Sequence, residues 1–333
     1  MPELTKIIII VGIVLFVIVM LGVVAVNLLM RFAFKKRGDG SPALRYLQSE
    51  DFPGLIADPI KFNSNKQQII RGYLYHKQQF TTFKELIIFA HGIGAGHTSY
   101  TTEINRLANE GYLIFAFDYT GCMLSSGTSM KSLIQPLVDL EHGLRYIESR
   151  PDLKELKRYV VGHSWGGFVA LNSLLLKNHR IDKVVDISGF DSPTMAIVAN
   201  HKILYAIYPF IFMHGFWRYG RFATYNSSKA LKKVKVPVLV VHGKLDRAVK
   251  PLVSADKFAK IAQKNSSIEI YYVDDRGHLP YASKRAEEYL HQVKVDKALI
   301  NPKSPVVDYE IDYKLITEED EVVMKKIVAF LKK

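Results

Sequence analysis

The hydrophobic positions of the chain form one continuous run at the start, followed by a long alternation of short apolar runs and amphipathic stretches. Residues Ile7 to Met30 carry no charged side chain, and Asn27 is their only strongly polar residue. At about 1.5 Å per residue, a helix over this run reaches roughly 36 Å, which is enough to cross the hydrocarbon core of a bilayer. The pattern therefore predicts a membrane-spanning helix ahead of the remaining chain.

Beyond this run, short segments rich in Val, Ile and Leu predict strands that are buried on both faces. The predicted strands are Gln68–Tyr75, Glu85–Ala90, Tyr112–Phe117, Arg158–Val161, Lys183–Ile187, Val238–Val241 and Ile268–Val273. Amphipathic stretches such as Tyr100–Glu110 and Lys131–Glu148 predict helices, and a capping pattern that begins at Thr317 predicts a last helix. This alternation predicts an α/β fold with a mostly parallel sheet flanked by helices.

One connection, between the predicted strands that end near Ile187 and begin at Val238, is long and dense in Tyr, Phe and Trp. A connection of about fifty residues should have structure of its own. Two interpretations stay open: a mobile helical cap over about 190–235 that gives a site an apolar wall, or two helices packed against the body.

The chain accordingly divides into three parts. Residues 1–37 form an anchor with a basic flank, 38–64 a linker and lead-in segment, and 65–333 the main domain with its insertion. The mixed, partly polar stretch 290–315 has no role that the pattern assigns.

Charge and cysteine content narrow the setting of the protein. The formal net charge is +13, and it is spread along the chain without a nucleic-acid-binding motif. We expect no nucleic-acid partner and interpret the excess as attraction to an anionic membrane surface. Cys122 is the only cysteine, so no intrachain disulfide can form, which suits a reducing compartment. Scattered histidines predict no metal site, and the glycine spacing predicts no nucleotide cofactor.

The flanks of the apolar run predict its orientation. The charged residues given before the run are Glu3 and Lys6, whereas the basic residues Arg31, Lys35, Lys36 and Arg37 follow it. Positive charge favours the cytoplasmic side, which places the main domain in the cytoplasm. The length of the run and the lack of a small-residue cleavage site favour an uncleaved anchor over a signal peptide. We expect a single-pass protein of the cell membrane with the lipid bilayer as a partner.

The segment Gly162-His163-Ser164-Trp165-Gly166 places a serine between two glycines, after one apolar run and before another. At a sharp strand-to-helix turn a serine side chain stands clear of the backbone, and glycines remove Cβ atoms that would collide. A serine hydroxyl attacks a carbonyl only with a base within reach and a third group to orient that base. The pattern predicts Ser164 as a nucleophile.

Its candidate partners both follow predicted strands. His242-Gly243-Lys244-Leu245-Asp246 comes after one, and Gly277-His278 comes after the next. The carboxyl ends of parallel strands gather functional groups, and the order Ser, acid, His is expected for such a turn. We predict His278 as the base and Asp246 as the acid that orients it. Asp246 as a turn or cap residue, Asp191 as the acid, and His278 as a surface-loop histidine remain alternatives.

A tetrahedral intermediate also needs hydrogen-bond donors for its oxyanion. The backbone N–H of Trp165, which follows the serine, is one predicted donor. The second is expected in the glycine-rich loop His91-Gly92-Ile93-Gly94-Ala95-Gly96, with Ile93 the first candidate and Gly94 the second. His91 is expected to be a structural hydrogen-bonding residue. The loop lacks the Lys and Ser/Thr of a phosphate-binding loop.

Taken in order, these motifs resemble the α/β-hydrolase superfamily, and within it the serine esterases, monoglyceride lipases and related membrane-tethered hydrolases. The matching pieces are His91-Gly92, Asp118-Tyr119-Thr120-Gly121, the serine motif, the Asp246 motif and Gly277-His278. They span about 65–290. The chain departs from the pattern at Cys122-Met123-Leu124, which separates Gly121 from Ser125.

The resemblance implies hydrolysis of a small-molecule carboxylic ester through an acyl-enzyme, with thioesterases, peptidases and acyltransferases among the relatives. The anchor and the aromatic insertion add the expectation of a lipid-like acyl group. A non-catalytic, membrane-tethered binding module is the alternative from a different class.

Overall fold

The computed structural model describes residues 2–41, 44–198, 202–299 and 310–333. The strands are β1 (Leu55–Asn63), β2 (Ile69–Lys77), β3 (Glu85–Ala90), β4 (Leu113–Phe117), β5 (Lys157–His163), β6 (Lys183–Ile187), β7 (Val238–Gly243) and β8 (Ile268–Val273). The helices are α1 (Glu3–Ala33), α2 (Thr101–Asn109), α3 (Gln135–Ser149), α4 (Trp165–Ser173), α5 (Pro193–Val198), α6 (Tyr208–Tyr219), α7 (Ser227–Lys233), α8 (Ala255–Ala262), α9 (Lys284–Leu299), α10 (Tyr313–Ile316) and α11 (Glu321–Lys332).

Within the described residues the strands form one sheet in the order β1-β2-β4-β3-β5-β6-β7-β8. β2 is antiparallel to both of its neighbours, β1 and β4. The six strands β4-β3-β5-β6-β7-β8 are parallel to one another. Residues of α3, α4 and α8 join the apolar cluster on one face, and residues of α2, α9 and α11 join the cluster on the other. Both faces are covered because parallel strands are connected by crossover helices. The predicted α/β class and mostly parallel sheet are confirmed.

The segment 38–64, expected to be a linker and lead-in, contains strand β1. Asp58 and Pro59 lie in its middle and are poor strand formers, which hid the strand from sequence analysis. Because β1 is an edge strand, the missing N–H of Pro59 interrupts no central ladder. Pro59 pairs with Tyr73 of β2.

The last helix starts later than the sequence pattern indicates. Asp320, rather than Thr317, is its N-cap, and its carboxylate accepts the backbone N–H groups of Val322 and Val323. An acidic cap also faces the positive end of the helix dipole, which explains why the helix begins there.

The insertion between β6 and β7 is helical, and it contains α5, α6 and α7. Helix α6 packs on α1 and beside the segment that precedes α3. Ile211 is buried in a cluster with Val26 and Met30 of α1, whereas Phe216 and Trp217 are 51% and 84% exposed. Helix α7 does pack against the body, because Leu231 is buried in the same apolar cluster as α3 and α4. The aromatic helix α6 instead packs on α1.

Candidate active site

Ser164 lies at the turn between β5 and α4. Its φ of 57° and ψ of −112° are costly for a residue with a side chain. A Cβ on Gly162 would lie 2.1 Å from the carbonyl oxygen of Gly166, and a Cβ on Gly166 would lie 1.8 Å from the carbonyl oxygen of Ala90. Close packing therefore requires both glycines, and it holds the strained serine at the wall of a cavity.

The imidazole of His278 joins Ser164 to a carboxylate. Its Nδ1 lies 2.8 Å from Asp246 Oδ2, and its Nε2 lies 2.8 Å from Ser164 Oγ. An ionised carboxylate only accepts, so Nδ1 carries the hydrogen and the Ser164 hydroxyl donates to Nε2. The structure thus brings together three predicted side chains, two of them 114 residues apart, in the tautomer that can take a proton from serine.

Asp246 is fixed by its own loop. Its Oδ1 accepts the N–H groups of Ala248 and Val249, each at 2.8 Å, which leaves Oδ2 for His278. The residue is buried, so water competes little for these bonds. Asp191, the alternative acid, instead accepts an N–H of the first turn of α7 at 2.9 Å. The structure therefore pairs the imidazole with Asp246.

Two side chains that sequence analysis did not single out hold the loop of His278. Glu287 on α9 accepts the N–H of Gly277 at 2.8 Å and the N–H of Leu279 at 3.0 Å. It therefore fixes the backbone on both sides of the imidazole. His163, the residue before the serine, has its Nε2 2.8 Å from the carbonyl oxygen of His278. The loop is held from α9 and from the serine turn at once.

His163 also connects to the glycine-rich loop. Its Nδ1 lies 2.8 Å from the Tyr100 hydroxyl, whose oxygen accepts the N–H of Gly92 at 3.0 Å. Burial, with the neighbouring His278 as the next cause, lowers the pKa of His163 well below its usual value, so the ring is neutral. A buried histidine side chain needs hydrogen-bond partners. The position of His163 in a predicted buried strand-to-helix turn could therefore have indicated that it connects to other segments.

The backbone N–H groups of Trp165 and Ile93 are the predicted oxyanion donors, and both residues line the same cavity as Ser164. Trp165 is the first residue of α4, where N–H groups have no acceptor inside the helix. Within the described ranges, neither N–H donates a hydrogen bond to the protein. Gly94, the second candidate, has a φ of 107°. The structure thus leaves two backbone donors without a protein acceptor in the cavity that Ser164 lines.

His91 occupies the structural place that the sequence suggested. Its ring is fully buried, and its Nε2 accepts the N–H of Tyr119 at 3.1 Å. Burial lowers the pKa of His91 to about 4, which keeps the ring neutral. It connects the end of β3 to the end of β4, and its ring makes no hydrogen bond to Ser164 among the described residues.

The residues that follow α1 make hydrogen bonds to the loops beside the cavity. We call Arg37–Gly40 the strap. The Arg37 guanidinium donates to three carbonyl oxygens of the loop after β4, those of Met123, Ser125 and Gly127. Gly40 donates its N–H to the carbonyl oxygen of Gly94 at 2.8 Å, directly after Ile93. The expected linker therefore begins with a hydrogen-bonded segment that reaches the glycine-rich loop.

The cavity has a volume of about 740 Å³. Besides the predicted site residues it is lined by apolar and aromatic side chains that include Leu44, Tyr46, Leu290, Tyr313 and Ile316. The stretch 290–315, which had no role in the sequence analysis, thus contributes walls, although its residues 300–309 lie outside the described part. Only Phe190 and Ala196 of the described insertion line the cavity, so its aromatic helix does not form the expected wall.

Comparison with known proteins agrees with this architecture. Residues 85–210 match the family model described as alpha/beta hydrolase fold. An esterase of Pyrococcus furiosus is similar over 89% of this chain and 98% of its own, with 16% identity and a TM-score of 0.60. An acetyl xylan esterase of a Paenibacillus species is similar over 75% and 87%, with 16% identity and a TM-score of 0.54.

A third similar structure is an acylaminoacyl peptidase of Pyrococcus horikoshii, which matches 80% of this chain and 45% of its own, with 14% identity and a TM-score of 0.53. At such identities the likeness concerns the fold. The chain has the α/β-hydrolase fold, with the predicted serine, acid and histidine motifs at the carboxyl edge of its sheet.

Proposed function

We propose that this protein is a serine hydrolase that cleaves carboxylic esters with apolar acyl groups. The observation that carries the proposal is the pair of 2.8 Å contacts that join Ser164, His278 and Asp246 at the wall of an apolar cavity. The fold, which the chain shares with known esterases, adds support.

The chemistry follows from this geometry. Ser164 Oγ attacks the ester carbonyl carbon while His278 Nε2 takes its proton, and the carbonyl oxygen becomes an oxyanion held by the N–H groups of Ile93 and Trp165. When the intermediate collapses, the ester C–O bond breaks and His278 returns the proton to the leaving alkoxide. Water then attacks the acyl-enzyme by the same route and releases the acid. Asp246 holds the tautomer and stabilises the imidazolium.

We also propose that α1 is an uncleaved membrane anchor with the domain on the cytoplasmic side. It is a 31-residue helix, and no residue of its most apolar window is buried by the rest of the chain. A signal sequence passes the same test of length and composition. The strap favours retention, because cleavage after the apolar run at a site beyond Arg37 would remove contacts to the loop after β4. Basic residues after the helix favour the cytoplasmic side.

Covalent labelling tests the proposed nucleophile. A fluorophosphonate probe should label the wild-type protein, and Ser164→Ala should abolish the label. Ser99→Ala is a matched control, because Ser99 also lines the cavity and is exposed, but it makes no hydrogen bond to His278 among the described residues. Equal labelling of wild type and Ser164→Ala would contradict Ser164 as the nucleophile, and no labelling of the wild type would favour the non-catalytic binding module.

Substrate panels test the bond and the acyl group. Activity on p-nitrophenyl esters should rise from acetyl to octanoyl, because each buried methylene contributes about 0.8 kcal/mol in an apolar cavity. Faster hydrolysis of the acetyl ester would contradict a lipid-like acyl group. Matched thioester, amide and alcohol-acceptor assays separate esterase from thioesterase, peptidase and acyltransferase activity.

A further inference from the structure

Helix α6 covers part of the apolar helix α1. A Cβ on Gly22 would lie 2.7 Å from the ring of Phe210, so the two helices are in close contact there. Val26 and Met30 are 0% and 7% exposed, and they are buried against the insertion. In contrast, the large apolar side chains from Ile7 to Leu21 are more than 40% exposed. The insertion therefore covers only the end of α1 that is next to the domain.

The contact has a definite depth if α1 spans a bilayer. Taking Arg31 as the boundary of the apolar run, Asn27 lies about 6 Å and Val23 about 12 Å below it along the helix. One leaflet contributes about 15 Å of hydrocarbon. A groove of about 520 Å³ lies between the two helices, lined by Val23, Asn27 and residues of α6. Helix α6 can touch these positions of an inserted α1 only by entering the leaflet itself.

The outer face of α6, by which we mean its exposed apolar residues including those at the mouth of the groove, suits that environment. Met213, Phe216 and Trp217 are 51%, 51% and 84% exposed, which is unusual for large apolar residues in water. A helix satisfies its own backbone hydrogen bonds, so it can lie among acyl chains. The polar group of α1 in this region is also satisfied, because the Asn27 amide donates to the carbonyl oxygen of Val23 at 2.9 Å. Arg218 lies in the last turn of α6, from which a long side chain can reach the headgroups.

The exposed apolar face of α6 also lies next to the exposed apolar surface of α1. Both expose large apolar side chains, and the residues that follow α1 are basic, with Lys35 and Lys36 exposed. An apolar surface bounded by lysines matches the acyl chains and anionic headgroups of a cytoplasmic leaflet.

We propose that α6 is embedded with α1 in the cytoplasmic leaflet and that lipid acyl chains cover its outer face and fill the α1–α6 groove. The proposal rests on the membrane anchoring proposed above, and it is independent of the catalytic assignment. It gives the aromatic insertion a role in contact with lipid instead of a role as a wall of the cavity.

The two tryptophans of the chain make a direct test available. Trp165 is 1% exposed and its indole donates to the carbonyl oxygen of Leu133, whereas Trp217 is 84% exposed. The full-length protein would be reconstituted into phosphatidylcholine vesicles whose acyl chains carry bromine at a shallow or a deep position. The difference between wild type and Trp217→Phe isolates the emission of Trp217.

We expect bromine at either position to remove about half or more of the Trp217 emission, because a groove about 6–12 Å below the boundary lies in the middle of a leaflet about 15 Å thick. Trp165 should be unaffected. Flotation of the vesicles separately reports whether the protein is anchored. Flotation without quenching of Trp217 would overturn the proposal, whether the residue is then reached by aqueous acrylamide or covered by a second copy of the chain. Failure to float would refute the anchor on which the proposal rests.

A charge variant distinguishes insertion of this face of α6 from other causes of quenching. Phe216→Asp should reduce the quenching of Trp217 by shallow bromine at least about twofold, because a carboxylate is expelled from hydrocarbon. Val322→Asp is the control, since Val322 is 68% exposed on α11 at the far end of the chain. Unchanged quenching in Phe216→Asp would contradict insertion of this face.

Discussion

The rim of the cavity and the helix α6 differ in what holds them in place. At the rim, Asp246, His278 and the glycine-rich loop are fixed by hydrogen bonds with donor–acceptor distances near 2.8 Å. Helix α6 is held by apolar side chains packed against α1, and its outer face is left exposed. Hydrogen bonds are directional, whereas apolar contacts are not.

This difference shows how one chain can satisfy two requirements. The proposed proton transfer from Ser164 to His278 needs atoms held within a fraction of an ångström, which directional bonds supply. The proposed contact with lipid needs only apolar area, and a helix that slides slightly keeps that area. The strap connects helix α1 to the rim of the cavity, because it follows α1 in the chain and its Gly40 donates a hydrogen bond to the glycine-rich loop.

The largest effect should come from the acid of the rim. We expect Asp246→Asn to reduce kcat by about 10⁴ with little change in KM, because the amide favours the wrong tautomer of His278. Asp191→Asn is the matched control and should leave kcat nearly unchanged. Steady-state kinetics on a soluble ester would decide, and a larger loss in Asp191→Asn would reverse the assignment of the acid.

The strap should matter next. Arg37→Ala removes three hydrogen bonds from a guanidinium to the loop after β4 and should lower the free energy of unfolding by about 1.5–3 kcal/mol. We also expect a slower kcat on a soluble ester, since the strap continues to Gly94. Lys36→Ala is the control, because that side chain is exposed. Equal thermal midpoints and rates for both variants would mean that the strap does not support the site.

A smaller loss should follow from loosening the histidine loop. Glu287→Gln keeps one oxygen acceptor and leaves either the Gly277 or the Leu279 N–H without its partner. A lost hydrogen bond of about 1 kcal/mol should reduce kcat by roughly fivefold to tenfold at unchanged KM. The neighbouring Glu288 is exposed, so Glu288→Gln should behave as wild type. A change in KM alone would indicate a role in substrate binding instead.

Behind the serine turn, a buried carboxyl makes stability depend on pH. Burial raises the pKa of Asp186 from 3.8 to about 8, and only the N–H of Gly189 donates to it among the described residues. The folded state therefore holds a proton that the unfolded state loses above about pH 4, and stability falls as the pH rises from about 4 to about 8. Asp186→Asn removes this dependence.

Thermal midpoints at about pH 5 and about pH 8.5 test that expectation. The wild type should lose more stability than Asp186→Asn across this interval, and the variant should be the more stable of the two at the higher pH. Parallel changes in both proteins would show that Asp186 is not the group responsible.

The smallest effect on activity should come from the apolar contact. Gly22→Ile places a side chain against the Phe210 ring and should displace α6, whereas Gly12→Ile meets no atom within 4 Å. We expect both variants to hydrolyse a soluble ester within about twofold of wild type, because the rim is held separately. Only Gly22→Ile should alter the emission of Trp217. A large loss of soluble-ester activity in Gly22→Ile would show that the two regions are coupled.

Much of the fold was readable from local pattern. β3, β6 and β8 have the predicted bounds. β3 and β6 are central strands whose mostly apolar residues are buried on both faces, and β8, at the edge of the sheet, is also a mostly apolar run. The edge strand β1 was missed, since Pro59 and Asp58 are tolerated only through its place at the edge. The N-cap of α11 was misplaced by three residues because Thr317 and Asp320 have similar capping ability, and the tertiary position of the segment selected Asp320.

The sequence by itself determined the apolar helix, the succession of strands and helices, and the order of the serine, acid and histidine motifs. These depend on residue type and spacing, which local physics can interpret. Only the tertiary structure decided that Glu287 and His163 hold His278, that the strap reaches Gly94, and that α6 lies on α1. Those contacts join residues far apart in the chain, and local periodicity cannot predict which distant segments come into contact.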